Sequence, residues 1–540
     1  MLLIFRHGPG CRRIKSCEGG VFLHSSGSSL LSGTLLLTAT GLFSQVLGFL
    51  YRIALSRLIG AEVMGLYQLI MPVFSVLLSL TSVGMTVAVS TLAARFHALG
   101  DWTAIRRVLR RGLLGFVLLL LPLGAAVVLA SDAISVYLLG DARTQLGILL
   151  LVPCVLLTGV ENLHKHCFYG TGNVRPPAAS ETIEQLIRTA AVLGLLVLFL
   201  PQTPERTVGL IVLGMIICEV FSAATLIVLF RRQLSRVDLR PSSERITWRR
   251  IFSISIPVSC TSLLATLMGS ANSVLIPNKL VAGGMDASAA ISAFGVLCGM
   301  TMPMLLLPTG FIGALGLTMV PDLAQKAALG RRREIREQLT RVLGAVSLLM
   351  APAMALLTVV GPTLGRTLFH ESSVGQFMLP LAVGTLFSCW QSVLSGALNG
   401  LGHQARTARN AIVCDAVQLA FTWFTVANWG LAGYVAGFMC SCILGFCLDL
   451  HSVCRAAELR PPLLTVFVCP VLAALLMGLC ANLLFRWLCD GGTSLPAASV
   501  ASILFGLLIY GAALQAQGIR RQDLFPRKRR AQSGGARSSG

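Results

Sequence analysis

The sequence is short of charge, and shortest of acids. Only 12% of its 540 residues are charged, and 22 acidic side chains face 43 basic ones. A soluble domain carries about twice that share of charge, so an ordinary water-facing surface is excluded. Its 16 cysteines never fall into a C-x-x-C pair. That removes paired-thiol redox motifs and the usual zinc frameworks, and leaves the cysteines to act as small hydrophobes. The sequence has no G-x-x-x-x-G-K-[S/T] loop, no H-E-x-x-H and no acidic metal pair in a loop. ATP-driven work and zinc-dependent hydrolysis therefore lack their residues. The segments between apolar runs are too short to hold a catalytic domain. The expectation is a chain that is not an enzyme and has no cofactor and no resident metal. "HKHC" at His164–Cys167 reads as a solvated helix end rather than a metal site.

What is abundant is apolar surface. Hydrophobic residues make up 55% of the chain, and the mean hydropathy is +0.79. Uninterrupted apolar runs of about 18 residues or more read as membrane helices. They recur from about residue 34 to 516. Inside lipid the backbone must satisfy itself within a helix or a closed barrel, and continuous rather than alternating runs choose helices. The fold class is thus an all-α polytopic membrane protein with about 14 transmembrane helices.

The basic residues are not spread evenly. Alternate loops hold Arg106, Arg107, Arg110 and Arg111, then "RRQLSRVDLRPSSERITWRR", then "RRREIREQLTR", and finally the tail "RRQDLFPRKRR". These loops, with the N-terminal segment, carry most of the 43 basic residues, while the intervening loops have isolated ones such as Arg143, Arg206 and Lys279. By the positive-inside rule both termini are cytoplasmic and the crossing number is even. The +21 net charge is then a topology signal and a contact with anionic headgroups, not a nucleic-acid footprint.

An internal repeat sets the plan. "ALGD" at 98–101 and "ALGR" at 328–331, Pro122 and Pro352, and "YGTGNVRPPAA" at 169 and "NGLGHQARTAR" at 399 all share one offset of 230 residues. The predicted layout is a 34–230 lobe of six helices, a basic cytoplasmic linker at 231–250 and a second lobe at 251–450. Two more helices at 451–516 and a basic cytoplasmic tail at 517–540 complete it. Six is an even number, so the repeat is parallel, and two such lobes enclose a central cavity. Residues 1–33 fit no span and form an N-terminal extension. Glu18-Gly19-Gly20 can be encoded by a purine-rich stretch and Leu23 by a TTG start, so translation is expected to begin at Leu23.

Polar residues within the spans mark the candidate cavity. Helix one offers Gly41, Gln45, Gly48 and Arg52 on one stripe, and helix five offers Glu181, Glu184, Gln185 and Arg188. Helix seven supplies Asn272 beside a Ser/Thr stripe that reads as packing glue. Helix eleven supplies Asp415 and Gln418, which sit 230 residues after Gln185 and Arg188. Charges in lipid cost several kcal/mol and face a cavity or a partner. The candidate binding set is therefore Arg52, Gln45, Glu184, Gln185, Arg188, Asn272, Asp415 and Gln418. Glu184 and Asp415 are expected to balance Arg52 and Arg188 across the cleft. Arg57 is expected to snorkel at the outer rim.

The stretch "LGFLYRIALSRLIGAEVMGLYQLIMP" followed by "SVGMTVAVSTLAA" resembles the stage V sporulation protein B group of the multidrug/oligosaccharidyl-lipid/polysaccharide exporter superfamily. "GTGNVRPPAASETIEQLIR" at 170–188, "PNKLVAGG" at 277–284 and "PMLLLPTGFIGALGLTMVP" at 303–321 resemble the same group. The likeness runs from about 30 to 515. It implies a two-lobed fourteen-helix transporter that flips undecaprenyl-pyrophosphate-linked saccharide, such as lipid II, outward across the bacterial cytoplasmic membrane. Partners would be the lipid-linked substrate and anionic headgroups, with cell-wall synthesis enzymes as candidates, and the chain would be a monomer. Related lipid II flippases carry several cavity arginines near the start of helix one. Here Gln45 and Tyr51 stand where arginines align, and Arg52 where an acid aligns. The alternative within the superfamily is a cation-coupled multidrug antiporter working through Glu184 and Asp415.

Overall fold

The computed structural model describes residues 27–237, 246–458 and 462–518. The expected start at Leu23, part of the 231–250 linker and most of the basic tail lie outside the described residues.

Helix is the only regular structure among the described residues. Thirteen helices there are long and apolar enough to cross a membrane, the first running over Ala39–Ala98. At about 1.5 Å per residue that one is far longer than a 30 Å hydrocarbon core. It breaks at Gly60, whose backbone (φ 72°, ψ 179°) only glycine adopts readily. Divided there, it gives α1 (27–59) and α2 (61–98), and the crossings number fourteen. The others are α3 (Trp102–Leu129), α4 (Ala142–Gly170), α5 (Arg175–Phe199), α6 (Pro204–Leu234) and α7 (Trp248–Ala282). They continue as α8 (Ala287–Thr309, prolonged by Gly310–Ala328), α9 (Arg332–Phe369), α10 (Met378–Gly400), α11 (Gln404–Trp429) and α12 (Leu431–Ala457). The last two are α13 (Leu464–Asp490) and α14 (Leu495–Ala516).

Helices α1 to α6 pack on one another, as do α7 to α12, and α13 and α14 pack together against α9. This is two six-helix lobes with two C-terminal helices. The repeat recurs in backbone detail that the sequence match did not show. Left-handed residues end helices at Gly100 and Gly330, Gly140 and His370, and Gly172 and Gly402. The carboxylates of Asp141 and Glu371 each cap the short 3-10 turn that follows. All four pairs keep the 230-residue offset.

Gly140 and His370 are not interchangeable, however. Glycine takes a positive φ without steric cost, and a Cβ at Gly140 would come within 2.4 Å of Asn278 Oδ1 on α7. His370 holds a φ of 57° with a side chain present. Gly140→Ala is therefore expected to cost about 1–2 kcal/mol from backbone strain alone, plus the Asn278 clash, whereas His370→Gly should change stability by under about 1 kcal/mol. Melting curves of the two purified variants would show it.

Several buried polar groups are satisfied by cross-helix bonds, as a lipid solvent favours. The Trp390 indole on α10 donates to Ser347 Oγ on α9 at 2.9 Å, within an aromatic cluster that includes Phe387, Phe446 and Phe467. The Tyr510 hydroxyl on α14 donates to the Leu348 carbonyl at 3.1 Å. Most of the free cysteines are buried or half-buried in the helices.

The loops after α2, α4, α6, α8, α10 and α12 share one end of the bundle, here the basic end. The turns after α1, α3, α5, α7, α9 and α11 share the opposite end.

Candidate functional site

Between the lobes lies a cavity of about 400 Å³ walled by α1, α2 and α8. From α1 come Gln45, Gly48, Phe49 and Arg52, from α2 Gln68, and from α8 Cys298, Met302 and Pro303. The helix-one stripe read from the sequence thus forms one wall. Arg52 is half-buried, and no hydrogen bond or ion pair joins it to the described residues. Among the described residues, no acidic side chain lines the cavity. Gln45 donates from Nε2 to the Leu306 carbonyl at 3.0 Å. It reaches it because α8 loosens into a 3-10 turn at Leu307–Thr309, and because Gly310 lacks a Cβ that would lie 1.8 Å from Gln45 Oε1.

The charged stripe of α5 turns elsewhere. Glu184 and Arg188 close on α4 and α6 of their own lobe, as members of a five-residue cluster. Lys165 on α4 bridges Glu161 at 2.6 Å and Glu184 at 2.9 Å, and Arg188 bridges Glu184 at 2.5 Å and Glu219 of α6 at 3.2 Å. Ser222 donates to Glu161 at 2.6 Å. Glu161 and Glu219 are almost wholly buried, and Glu219 Oε2 and Arg188 Nε have no hydrogen-bond partner among the described residues. The three carboxylates approach within 4.8 Å, close enough for a metal ion, but an ammonium and a guanidinium already sit among them.

Of the expected balance the structure brings Glu184 and Arg188 together, within the first lobe rather than across the cleft, and leaves Arg52 and Asp415 outside that cluster. Asp415 is half-buried on α11 and bonds to none of the described residues. Gln185 faces α1, its Nε2 lying 3.5 Å from where a Cβ on Gly48 would be. Asn272 accepts from Thr422 at 2.7 Å, and Thr422 also donates to the Gln418 carbonyl at 3.0 Å, which ties α7 to α11. The Ser/Thr stripe of α7 packs on α2, with Thr266 and Ser79 hydroxyls 2.7 Å apart.

Two residues escaped the sequence reading. Lys165 belongs to the "HKHC" segment expected as a solvated helix end, yet α4 runs on to Gly170 and buries it. Asp449 of α12 is buried and accepts from Ser395 at 2.6 Å and Asn410 at 2.8 Å. It is the repeat equivalent of Glu219, as Ser395 is of Lys165 and Asn410 of Ser180. Carrying the offset through to α12 would have found it. His164 is buried and donates from Nδ1 to the Val160 carbonyl at 2.7 Å, so "HKHC" is a packed helix segment rather than a solvated end.

At the opposite end the lobes are latched. Glu62 of α2 accepts from Arg143 of α4 at 2.7 Å and from Ser288 of α8 at 2.6 Å. Arg57 does not simply snorkel: its Nε and a terminal nitrogen donate to the Leu368 and Thr367 carbonyls of α9 at 2.5 and 2.6 Å. An ammonium cannot reproduce a two-pronged grip. Arg57→Lys should lose about one charge-assisted bond, roughly 1.5 kcal/mol, and raise the population open at this end about tenfold. Spin-label distances between Ala133 and Ser372 would measure it.

Residues 30–326 match the family model described as polysaccharide biosynthesis protein. The chain belongs to the polysaccharide biosynthesis protein family. Among curated proteins, it is 24% identical over 435 residues to "Stage V sporulation protein B" of Bacillus subtilis, covering 79% of this chain and 84% of that one. It is 21% identical over 456 residues to "Lipid II flippase MurJ" of the same organism, covering 78% and 82%. Among solved structures, "Lipid II flippase MurJ, inward closed conformation" superposes with a TM-score of 0.69 at 14% identity, over 90% of this chain and all of that one. An inward-facing multidrug resistance MATE transporter of the MOP superfamily gives 0.62 at 15% identity, over 79% and 99%. The fold observed here is the one these two solved structures share.

Proposed function

We propose that this chain flips an undecaprenyl-pyrophosphate-linked saccharide, a lipid II-like peptidoglycan or polysaccharide precursor, across the bacterial cytoplasmic membrane. The observation that carries the reading is Arg52: a half-buried guanidinium in a cavity between two lobes, with no acid to neutralise it. An unpaired guanidinium there is costly unless an anion completes it, and its fork matches a phosphate. The opposite end is latched by Arg57 and Glu62, as alternating access requires of one half of the cycle. Basic-end loops, both termini among them, face the cytoplasm. No substrate-binding role falls to Glu184 and Arg188, which hold the first lobe together.

A second reading has its own observation. The buried Glu161–Glu184–Glu219 group carries three carboxylates against two cations, which suits a cation-coupled antiporter exchanging one further proton or metal ion. The two separate in native mass spectrometry of the gently purified protein. A co-purified polyprenyl-pyrophosphate lipid, lost in Arg52→Gln, is the expected result. Empty protein with cation-dependent drug binding would favour the antiporter.

A further inference from the structure

The outer flank of the first lobe holds a second cavity, distant from Arg52. It lies between α3 and α6 at the basic end, floored by α4, and measures about 870 Å³. Its walls are apolar: Leu113, Leu114 and Val117 on α3, Ile227 and Phe230 on α6. Its mouth is cationic. Arg106 and Arg110 stand one turn apart on α3, and Arg231 faces them from the last turn of α6. No acid lines it.

Three features distinguish these arginines from the topology signal around them. First, they converge on one cavity from two helices. Second, all three are exposed and make no hydrogen bond or ion pair with the described residues. Some other basic residues of that end are paired, Lys326 with Asp322, Arg331 with Glu334, Arg333 with Glu337, and both Arg332 and Arg336 with Glu458, while those without a partner among the described residues, such as Arg232 and Arg409, line no such cavity. Third, a buried polar side chain lines the same cavity. His164 is 4% exposed, is fixed by its Nδ1 bond to Val160 and by the edge of Phe230, and keeps Nε2 unpartnered by the described residues.

Away from the arginines the flank becomes an apolar track. Leu114, Leu118 and Leu121 are 50%, 57% and 64% exposed along one face of α3, and Val228, Phe221 and Ile217 are 47%, 50% and 43% exposed along α6. A cationic mouth above two parallel apolar ridges has the shape of an anionic amphiphile standing in a leaflet. The head must be an anion that accepts from several guanidiniums at once, which a phosphodiester does. The tail must be acyl chain, because chain lying on the ridges gains no more than it would in bulk lipid. The head alone therefore sets selectivity.

We propose that this cavity is a binding site for one anionic glycerophospholipid, held by Arg106, Arg110 and Arg231 through its phosphate, with an acyl chain along the α3–α6 ridges. The site is separate from the cavity between the lobes and does not depend on what that cavity carries. The lipid ties α3 to α6 on the outer face of one lobe.

The test is native mass spectrometry of the full chain, delipidated in a neutral detergent and titrated with phosphatidylglycerol. Arg106→Gln/Arg110→Gln/Arg231→Gln is compared with Arg331→Gln/Arg333→Gln/Arg409→Gln, which removes three basic residues of the same end outside the cavity. Each arginine near a headgroup adds about a fivefold preference, so the cavity variant should bind phosphatidylglycerol about a hundredfold more weakly while the control variant matches wild type. Phosphatidylcholine should bind wild type about as weakly as phosphatidylglycerol binds the cavity variant, and 10 mM inorganic phosphate should not displace the lipid. Equal losses in the two variants would show diffuse surface attraction and overturn the site. Displacement by phosphate would make the ligand a free anion and overturn the lipid. The wild-type protein gives an independent readout: photoactivatable phosphatidylglycerol should label peptides within 102–129 and 204–234, and labelling confined elsewhere would overturn the proposal even if the variant failed to fold.

Discussion

Lys165→Ser is expected to be the most damaging single polar substitution in the first lobe, costing about 3–5 kcal/mol. Lys165 is buried in α4 and is the only ammonium between Glu161 and Glu184 among the described residues. Without it two carboxylates face each other in a lipid-surrounded lobe with one guanidinium between them and Glu219. The second lobe shows how the damage should be undone. At the positions equivalent to Glu161 and Lys165 it has Gln391 and Ser395, and its single acid there, Asp449, is satisfied by Ser395 and Asn410. Glu161→Gln with Lys165→Ser copies that neutral arrangement and removes one charge of each sign. The double variant should regain most of the folded yield in detergent that Lys165→Ser loses. A double variant as poor as the single one would mean that Lys165 acts through packing rather than charge. Glu184→Gln with Arg188→Gln should recover less, because Glu184 also holds Lys165, and Arg188 also holds Glu219.

That cluster also shows where the sequence stopped being readable. Hydropathy marks the apolar part of a helix, not its end. Lys165 follows the apolar run of α4, where a solvated helix end is expected, but the helix continues five residues past it. Its partners are Glu161 one turn earlier and Glu184 of α5, 19 residues away, and the second pairing is one no local spacing reveals. The repeat, by contrast, was legible because turns and caps are local: the residues around Gly100, Gly172, Gly330 and Gly402 keep their register as sequence and as backbone. The α1 stripe was legible for a similar reason. Gln45, Gly48 and Arg52 share a face by helical period alone, and only the identity of the facing helix, α8, awaited the fold. The α5 stripe obeyed the same period, but periodicity cannot tell a face turned to a cleft from one turned to neighbours in its own lobe.

Arg52→Gln is the decisive substitution for the cavity between the lobes. Gln is shorter and keeps an N–H donor but carries no charge. No acid is stranded by the change, since none lines the cavity, so folding should be spared, unlike in Lys165→Ser. If the cavity takes a pyrophosphate, losing a forked, charge-assisted contact of about 2–3 kcal/mol should reduce transport of a fluorescent lipid-linked sugar in vesicles about a hundredfold. Arg52→Lys keeps the charge but not the fork and should fall between, about tenfold below wild type. Arg57→Lys supplies the contrast, because Arg57 latches the lobes. It should change the rate of the cycle while leaving retention of the lipid during purification intact, whereas the Arg52 variants should lose retention and rate together. Full retention in Arg52→Gln would remove Arg52 from substrate binding. A graded loss from Arg to Lys to Gln would instead tie an anionic group to that one stripe of α1, since the fork and then the charge are removed in turn.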